Sequence, residues 1–260
     1  MAEGTGERDS METERNWDRM AAAYEDFTSG EDSYSSTIEW PCIKGMLPNL
    51  RGKRVIDLGC GTGRFTFLLE AEGAERIVGV DISSNMLSLA AKKAETLHSK
   101  AAFIKADIAS RFTERTFDFV FSSTATHYIS DLAAFFEGVS ALLNPGGSCI
   151  LSVMNPVYTA QYPIKKDGFP GDAEWTVRYL DRRERGYIQP WIACNDAIED
   201  FLSYSYHYTF SDYVNAITAA GLRLVKAAEP LPPEAWETAR PGRYEGFIET
   251  PSYLILKLSK

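Results

Sequence analysis

Three aspartates and a run of glycines between positions 57 and 107 carry the chemistry of this sequence. Asp57 opens the pattern D-x-G-x-G-x-G, with Gly59, Gly61 and Gly63 at alternate positions. Glycines so spaced let the backbone turn tightly from a strand into a helix, where N–H groups converge on a ligand. Two common uses of such a turn do not fit. The dinucleotide fingerprint G-x-G-x-x-G needs glycine where Arg64 stands, and no G-K-[ST] follows to make a triphosphate loop. An acid at the mouth of the turn repels a pyrophosphate and suits positive charge, an ammonium or a sulfonium. Asp81, about twenty residues on, is placed to accept hydrogen bonds from both hydroxyls of a ribose. Asp107, in the context F-I-K-A-D-I, is placed to accept from an exocyclic amine, with Ile108 against an adenine face. One such acid alone would read as a helix cap or a solvated charge. Jointly they map a nucleoside with a cationic tail.

The elements that must position these groups follow from hydrophobic periodicity. Residues 54–58, 77–81, 101–104, 117–121 and 148–153 read as buried strands. Helical stretches separate them: one over 64–72, one capped by Ser83 or Ser84 and carrying Met86 and Ala90, and one capped by Asp131. The last places Leu132, Phe135, Phe136, Val139 and Leu142 three and four residues apart, a stripe that faces a core. Asn144-Pro145-Gly146-Gly147 should end it in a turn. Such alternation requires crossovers, hence an α/β fold with a parallel sheet covered on both faces. The acids then sit at the C-terminal ends of adjacent strands.

The flanks divide the chain. Residues 1–13 read as a flexible acidic tail, and 14–50 as an N-terminal helical segment with Trp17, Met20, Ala21, Tyr24 and Phe27 on one stripe. Residues 51–260 make the binding domain, and within it 154–207, crowded with aromatics, read as a cap. Thr209-Phe210-Ser211-Asp212 starts a further helix ended by Gly221. Strands at 222–227 and 253–258 flank a proline-rich loop at 230–241.

At this point the sequence resembles the class I, Rossmann-like methyltransferases that use S-adenosylmethionine. The resemblance rests on V-I-D-L-G-C-G-T-G-R (55–64), V-G-V-D-I-S (78–83), K-A-D-I (105–108), F-D-F-V-F-S-S (117–123) and L-N-P-G-G-S-C-I-L-S-V (143–153). It implies a doubly wound, mostly parallel seven-stranded sheet whose last strand is antiparallel and inserted between the fifth and sixth. It also implies that Gly59, Cys60, Gly61 and Gly63 approach the methionine portion, and Asp81 with Ile82 the ribose. Met86 would pack on the adenosine, Asp107 and Ile108 would hold the adenine, and Ser122 and Ser123 would border donor and acceptor. Tyr24 would reach over the donor from the N-terminal helix. S-adenosylhomocysteine would be the product.

Methyl transfer from a sulfonium needs chiefly alignment and exclusion of water. A base is required where the acceptor must lose a proton. His127 is the first candidate, because an ordinary imidazole titrates near neutrality, and His207 is a weaker second. Tyr128, Trp175, Tyr179 and Trp191 offer flat faces for an acceptor. The segment after the fourth strand lacks the [DN]-P-P-[YFW] signature of enzymes that methylate nucleobases or protein glutamine. That absence and the net charge of −9 argue against nucleic acid and for a small-molecule acceptor, with O-methylation ahead of N-methylation. The alternative is a protein of the same fold that binds the donor but steers a non-methylating reaction or serves as a binding module. The 260 residues are 45% apolar and 24% charged, which suits a folded domain rather than a disordered chain. No apolar run is long enough to span a membrane. Four scattered cysteines without C-x-x-C pairs give neither a metal site nor a disulfide framework and suggest a reducing, cytoplasmic setting. Oligomeric state has no signature here.

Overall fold

The structure, a computed structural model, describes residues 5–30, 33–110, 116–163, 175–182, 185–187 and 203–260. Helix α1 (Thr5–Thr28) is followed by a π-helical turn (Ser35–Glu39) that runs into α2 (Trp40–Lys44). The alternating core comprises β1 (Arg54–Leu58), α3 (Arg64–Ala71), β2 (Arg76–Asp81), α4 (Ser84–Leu97), β3 (Ala102–Lys105) and β4 (Phe117–Ser123). A 3-10 turn (Thr126–Tyr128) leads to α5 (Leu132–Leu142) and β5 (Leu143–Met154). Short α6 (Pro156–Thr159) precedes β6 (Gln161–Pro163), β7 (Trp175–Val177), β8 (Arg185–Tyr187) and β9 (Ser203–Ser205). The chain closes with α7 (Phe210–Ala219), β10 (Arg223–Ala228), α8 (Ala235–Ala239), α9 (Pro241–Glu249) and β11 (Tyr253–Ser259).

The main sheet has seven strands in the order β10-β11-β5-β4-β1-β2-β3. Strands β1 to β5 pair in parallel, and β11 lies antiparallel between β5 and β10. This is the expected sheet, inserted last strand included. Strand alternation divides its apolar residues between two layers. Ile56, Val120, Leu151 and Leu256 pack with Phe135, Phe136 and Val139 of α5 and Tyr213 of α7. Val55, Phe119, Phe121, Ile150 and Ile255 pack the other way, against Ile43, Phe65 and Leu69. Phe135 and Phe136 are both buried, each worth about 2–3 kcal/mol of apolar transfer. The caps form as their residue types direct: Ser83 accepts from Met86 N, Asp131 from Ala134 N, and Thr209 with Asp212 makes a capping box.

Three expectations change. Helix α1 begins at Thr5, so most of the segment read as a flexible tail is its first turns. That polar stretch is held by partners far along the chain: Ser10 bonds to Asp107, and Glu14 pairs with Lys105. Residues 144–147 belong to β5 instead of ending α5 as a free turn. Leu143 pairs with Phe117, and the register shift before Phe119 accommodates the extra residues. The proline-rich loop is in part helical, with Pro241 at the first position of α9, where its missing N–H costs nothing. Trp236 and Phe247 pack there with Tyr253 and Ile38.

Candidate functional site

The strand order reverses direction at β1, which leads on one side to β2 and on the other to β4. The crevice beyond the C-terminal ends of these strands is the switch point where open α/β sheets bind ligands. A cleft lies there. It is lined by Asp57, Gly59, Cys60 and Gly61 of the turn, Asp81, Ile82 and Met86 after β2, and Asp107 and Ile108 after β3. Ser123 and Tyr128 close one side, and Tyr24 reaches it from α1.

Gly59 shows why the turn needs glycine. Its φ is 75°, and a Cβ there would stand 2.6 Å from the Ala125 Cβ. Gly59 N and Cys60 N both donate to Val80 O, at 2.8 and 3.0 Å, which fixes the turn on β2. Gly63 shapes the turn from behind, at φ 82° as the N-cap of α3, and does not line the cleft.

The acids differ in their partners. Asp57 is buried and accepts a 2.6 Å hydrogen bond from Thr66 Oγ1; burial pushes its carboxyl up to about 7. Asp81 is also raised by burial, against bonds from Ser83 N to Oδ1 at 2.9 Å and from Gly61 N to Oδ2 at 2.8 Å. Each oxygen retains a lone pair, so a ribose hydroxyl can still donate to it. Asp107 accepts from Ala109 N at 2.8 Å and from Ser10 Oγ at 2.6 Å. Clustered, partly desolvated carboxylates favour a cationic ligand, and the glycine turn leaves the backbone open to close approach. These residues fit a nucleoside bearing positive charge.

The two histidines are elsewhere. His127 is buried in the 3-10 turn with Nδ1 unpartnered; burial drives its ring down to about 3, too weak a base at neutral pH. Its ring lies tilted against that of Tyr128, with centroids 4.1 Å apart, and Tyr128, not His127, faces the cleft. His207 is buried with both nitrogens engaged, Nδ1 to Thr159 Oγ1 and Nε2 to Tyr179 O, each at 2.8 Å. These bonds hold α6 and Tyr179 together within the cap and leave no nitrogen for substrate. Ser122 is a further correction. Strand alternation turns its hydroxyl away from the cleft, to Leu58 O at 2.7 Å, while Ser123 faces in.

Of the residues expected on the acceptor side, Tyr128 lines the cleft. Tyr179 is half-buried, and its hydroxyl accepts from Phe210 N at 3.0 Å, outside the cleft. Trp191 lies outside the described residues, and of Trp175 only the backbone, in β7, is described. The described part of the cap includes α6 and two small antiparallel pairs, β6 with β7 and β8 with β9. Tyr206 N donates to His127 O at 2.7 Å, and Tyr208 Oη reaches Ile129 O at 2.5 Å, so the cap joins the loop beside the cleft.

Sequence reasoning passed over several lining residues. Ser10, Trp17, Ser35, Arg64 and Thr124 all face the cleft. Trp17 sat on the apolar stripe of α1 and could have been found there; its ring meets Tyr24 and Tyr128 edge-on at 5.4 and 5.5 Å. Thr124 holds a positive φ of 48°, unusual for a β-branched residue, with its N–H on Ser152 O. Among the described residues, no group of acids, histidines and cysteines is arranged to hold a metal.

Fold and cleft together define an α/β nucleoside-binding protein of the doubly wound class. Residues 49–178 match the family described as "Methyltransferase domain". A solved S-adenosylmethionine-dependent methyltransferase from Mesorhizobium loti is similar at 29% identity and a TM-score of 0.69, over 85% of this chain and 97% of that one. A phosphoethanolamine N-methyltransferase of Arabidopsis thaliana is 32% identical over 39% of this chain and 21% of its own length. A ubiquinone biosynthesis O-methyltransferase of Bradyrhizobium is 31% identical over 51% of this chain and 50% of its own. The chain thus spans half or less of those two relatives. It belongs to the S-adenosylmethionine-dependent methyltransferases of the class I, Rossmann-like fold.

Proposed function

We propose that this protein transfers the methyl group of S-adenosylmethionine to a small-molecule acceptor and releases S-adenosylhomocysteine. The observation that carries this is the convergence of Asp57, Asp81, Asp107 and the Gly59–Gly61 backbone on one cleft at the sheet's switch point. The sulfonium, when bound, supplies an already activated methyl group. This chain's residues then have three tasks. Asp81 takes the ribose hydroxyls, and Asp107 takes the adenine amine once Ser10 gives way. Asp57, ionised beside a cation, favours the charged donor. Trp17, Tyr24 and Tyr128 exclude water from the reacting end, where electrostatic effects then strengthen.

A small acceptor is supported by a cleft roofed by α1 and by the excess of acids. A hydroxyl acceptor remains the preferred reading, since the acids inside the site can take up its proton, although an amine is also compatible. The similar proteins include one of each kind by name. Calorimetry with S-adenosylmethionine tests the donor site. The wild-type chain should bind it, and Asp81→Asn should bind at least about tenfold more weakly through loss of a charge-assisted bond to ribose. Equal affinity in both would refute the assignment.

A further inference from the structure

Behind the wall of the cleft stands an acid that donor binding does not use. Glu39 ends the π-helical turn, a rare form that recurs at functional sites, and is fully buried. Its Oε1 accepts a 2.5 Å hydrogen bond from Ser123 Oγ, and Ser123 lines the cleft at the end of β4. Its Oε2 has no hydrogen-bond partner, and neither has Ser152 Oγ. Ser152 is the register neighbour of Ser123 across β4 and β5, so both serines stand at the same edge of the wall. The Ser35 and Ser152 hydroxyls stand close enough to favour the charge of Glu39, but among the described residues Ser123 is the one that holds it at hydrogen-bond geometry.

Among the described residues, no cation forms a salt bridge with this carboxylate. Tyr24 of α1, Arg64 of α3, Tyr253 of β11 and the hydroxyls of Ser35, Ser123 and Ser152 act on it. Arg64, the cation of the group, places its Nη1 on Ser33 and Ser36, at 3.0 and 2.7 Å. Burial outweighs the help of these neighbours and pushes the Glu39 carboxyl up to about 6. At neutral pH it is mostly ionised yet close to its midpoint, the condition that suits a general base.

We propose that Ser123 and Glu39 form the proton-accepting pair of the methyl-transfer site, with Ser123 touching the acceptor and Glu39 acting through it. This rests on the reading of the cleft as the donor site. Ser123 Oγ takes the proton of the acceptor's O–H or N–H while passing its own to Glu39 Oε1. The acceptor heteroatom forms its bond to the methyl carbon as the carbon–sulfur bond breaks, with that electron pair going to sulfur. One positive charge on the sulfonium and one negative charge on Glu39 disappear together. The resulting carboxylic acid later loses its proton to solvent. The pair supplies what His127, pointing away, does not.

Two readouts test it, both on the full chain. The first needs no acceptor: glutamate carboxyls are labelled with carbon-13 and titrated by NMR in the S-adenosylhomocysteine complex, with Glu39→Gln identifying the signal. Glu39 should titrate near 6, and Ser123→Ala should move it up by about one pH unit, because a bond to the ionised form is lost. A signal that titrates like a surface glutamate, or that ignores Ser123→Ala, overturns the pair. The second follows labelled methyl from S-adenosylmethionine into the small-molecule fraction of a cell extract as pH varies. Saturating donor pulls the Asp57 titration down beside the bound cation and clears the window for Glu39. Transfer should fall below about pH 6, and Glu39→Gln should cut it about 100-fold and erase that limb, while donor affinity stays within about threefold. Glu39→Asp should restore part of the rate. Wild-type transfer in Glu39→Gln, or a loss that leaves the acid limb in place, overturns the proposal. If the unaltered chain does not bind S-adenosylmethionine, the donor reading fails and the pair falls with it. Intact donor binding with unaltered transfer refutes the pair alone.

Discussion

Ser10 on α1 donates to Asp107 Oδ2 at 2.6 Å, across 97 residues of chain. The helix therefore holds the carboxylate oxygen that an adenine amine would need. Below it, Glu14 pairs with Lys105, Asp18 accepts from Ser83 Oγ and Asn85 N, and Glu25 pairs with Lys93. The two ion pairs are partly exposed and individually weak. A chain of small contacts can release stepwise.

Removing the competing hydroxyl should strengthen binding. Ser10→Ala should raise affinity for S-adenosylmethionine by about two- to tenfold, the worth of one hydrogen bond that no longer has to break. Calorimetry measures it. Weaker binding in Ser10→Ala would mean that the hydroxyl serves the bound state instead.

Asp57 makes both stability and binding depend on pH, in opposite senses. Its carboxyl is raised in the folded chain to about 7, from 3.8 when unperturbed. Between those values the folded state holds the extra proton, so this residue's contribution to stability falls as pH rises from about 4 to about 7 and is level above. A cationic donor prefers the ionised form, so its affinity should climb over the upper part of that range. Asp57→Asn should raise Tm at pH 8 by a few degrees, about 1–2 kcal/mol, and remove the Asp57 part of the pH dependence of binding. Thermal melts and calorimetry in paired buffers give both values.

His127 has the reverse sign. Burial lowers its ring from 6.5 to about 3, so the unfolded chain gains a proton first as the solution is acidified. The stability it contributes is present above about pH 6.5 and drains away toward pH 3. His127→Leu should flatten this acid loss by about one proton's worth of slope in urea unfolding. Comparison with the wild type at each pH cancels the opposing slopes of Asp57 and Glu39.

Gly59→Ala should damage both fold and site. The added methyl meets the Ala125 Cβ at 2.6 Å while the backbone keeps a φ of 75°. A loss of about 2 kcal/mol or more is expected in urea unfolding, together with loss of donor binding as the 124–125 loop shifts. Unchanged affinity would show that the loop can yield without disturbing the ligand.

The strands, the glycine turn and the acids were legible because their signals are local. Asp81 ends β2 and Asp107 stands two residues beyond β3, and short apolar runs mark strands buried on both faces. Ser122 was misread although the same alternation applied to it, since two adjacent serines on one strand cannot both face one cleft. His127 and Tyr128 were harder. A three-residue 3-10 turn decides which ring points inward, and nothing nearby in sequence sets its rotation. The start of α1 depends on Asp107 and Lys105, about a hundred residues away, and its own polar residues read as solvated. Glu39 carried only a faint sign, a lone acid between Ile38 and Trp40 in an otherwise apolar stretch.

Asp57 and Asp81 are both buried beside the cleft, and desolvation raises each of them. The ligand-free protein is consequently held in internal electrostatic tension, and an arriving positive charge relaxes it. Resistance to heat and proteolysis should therefore report occupancy of the nucleoside crevice, and the chain should be at its most fragile between turnovers.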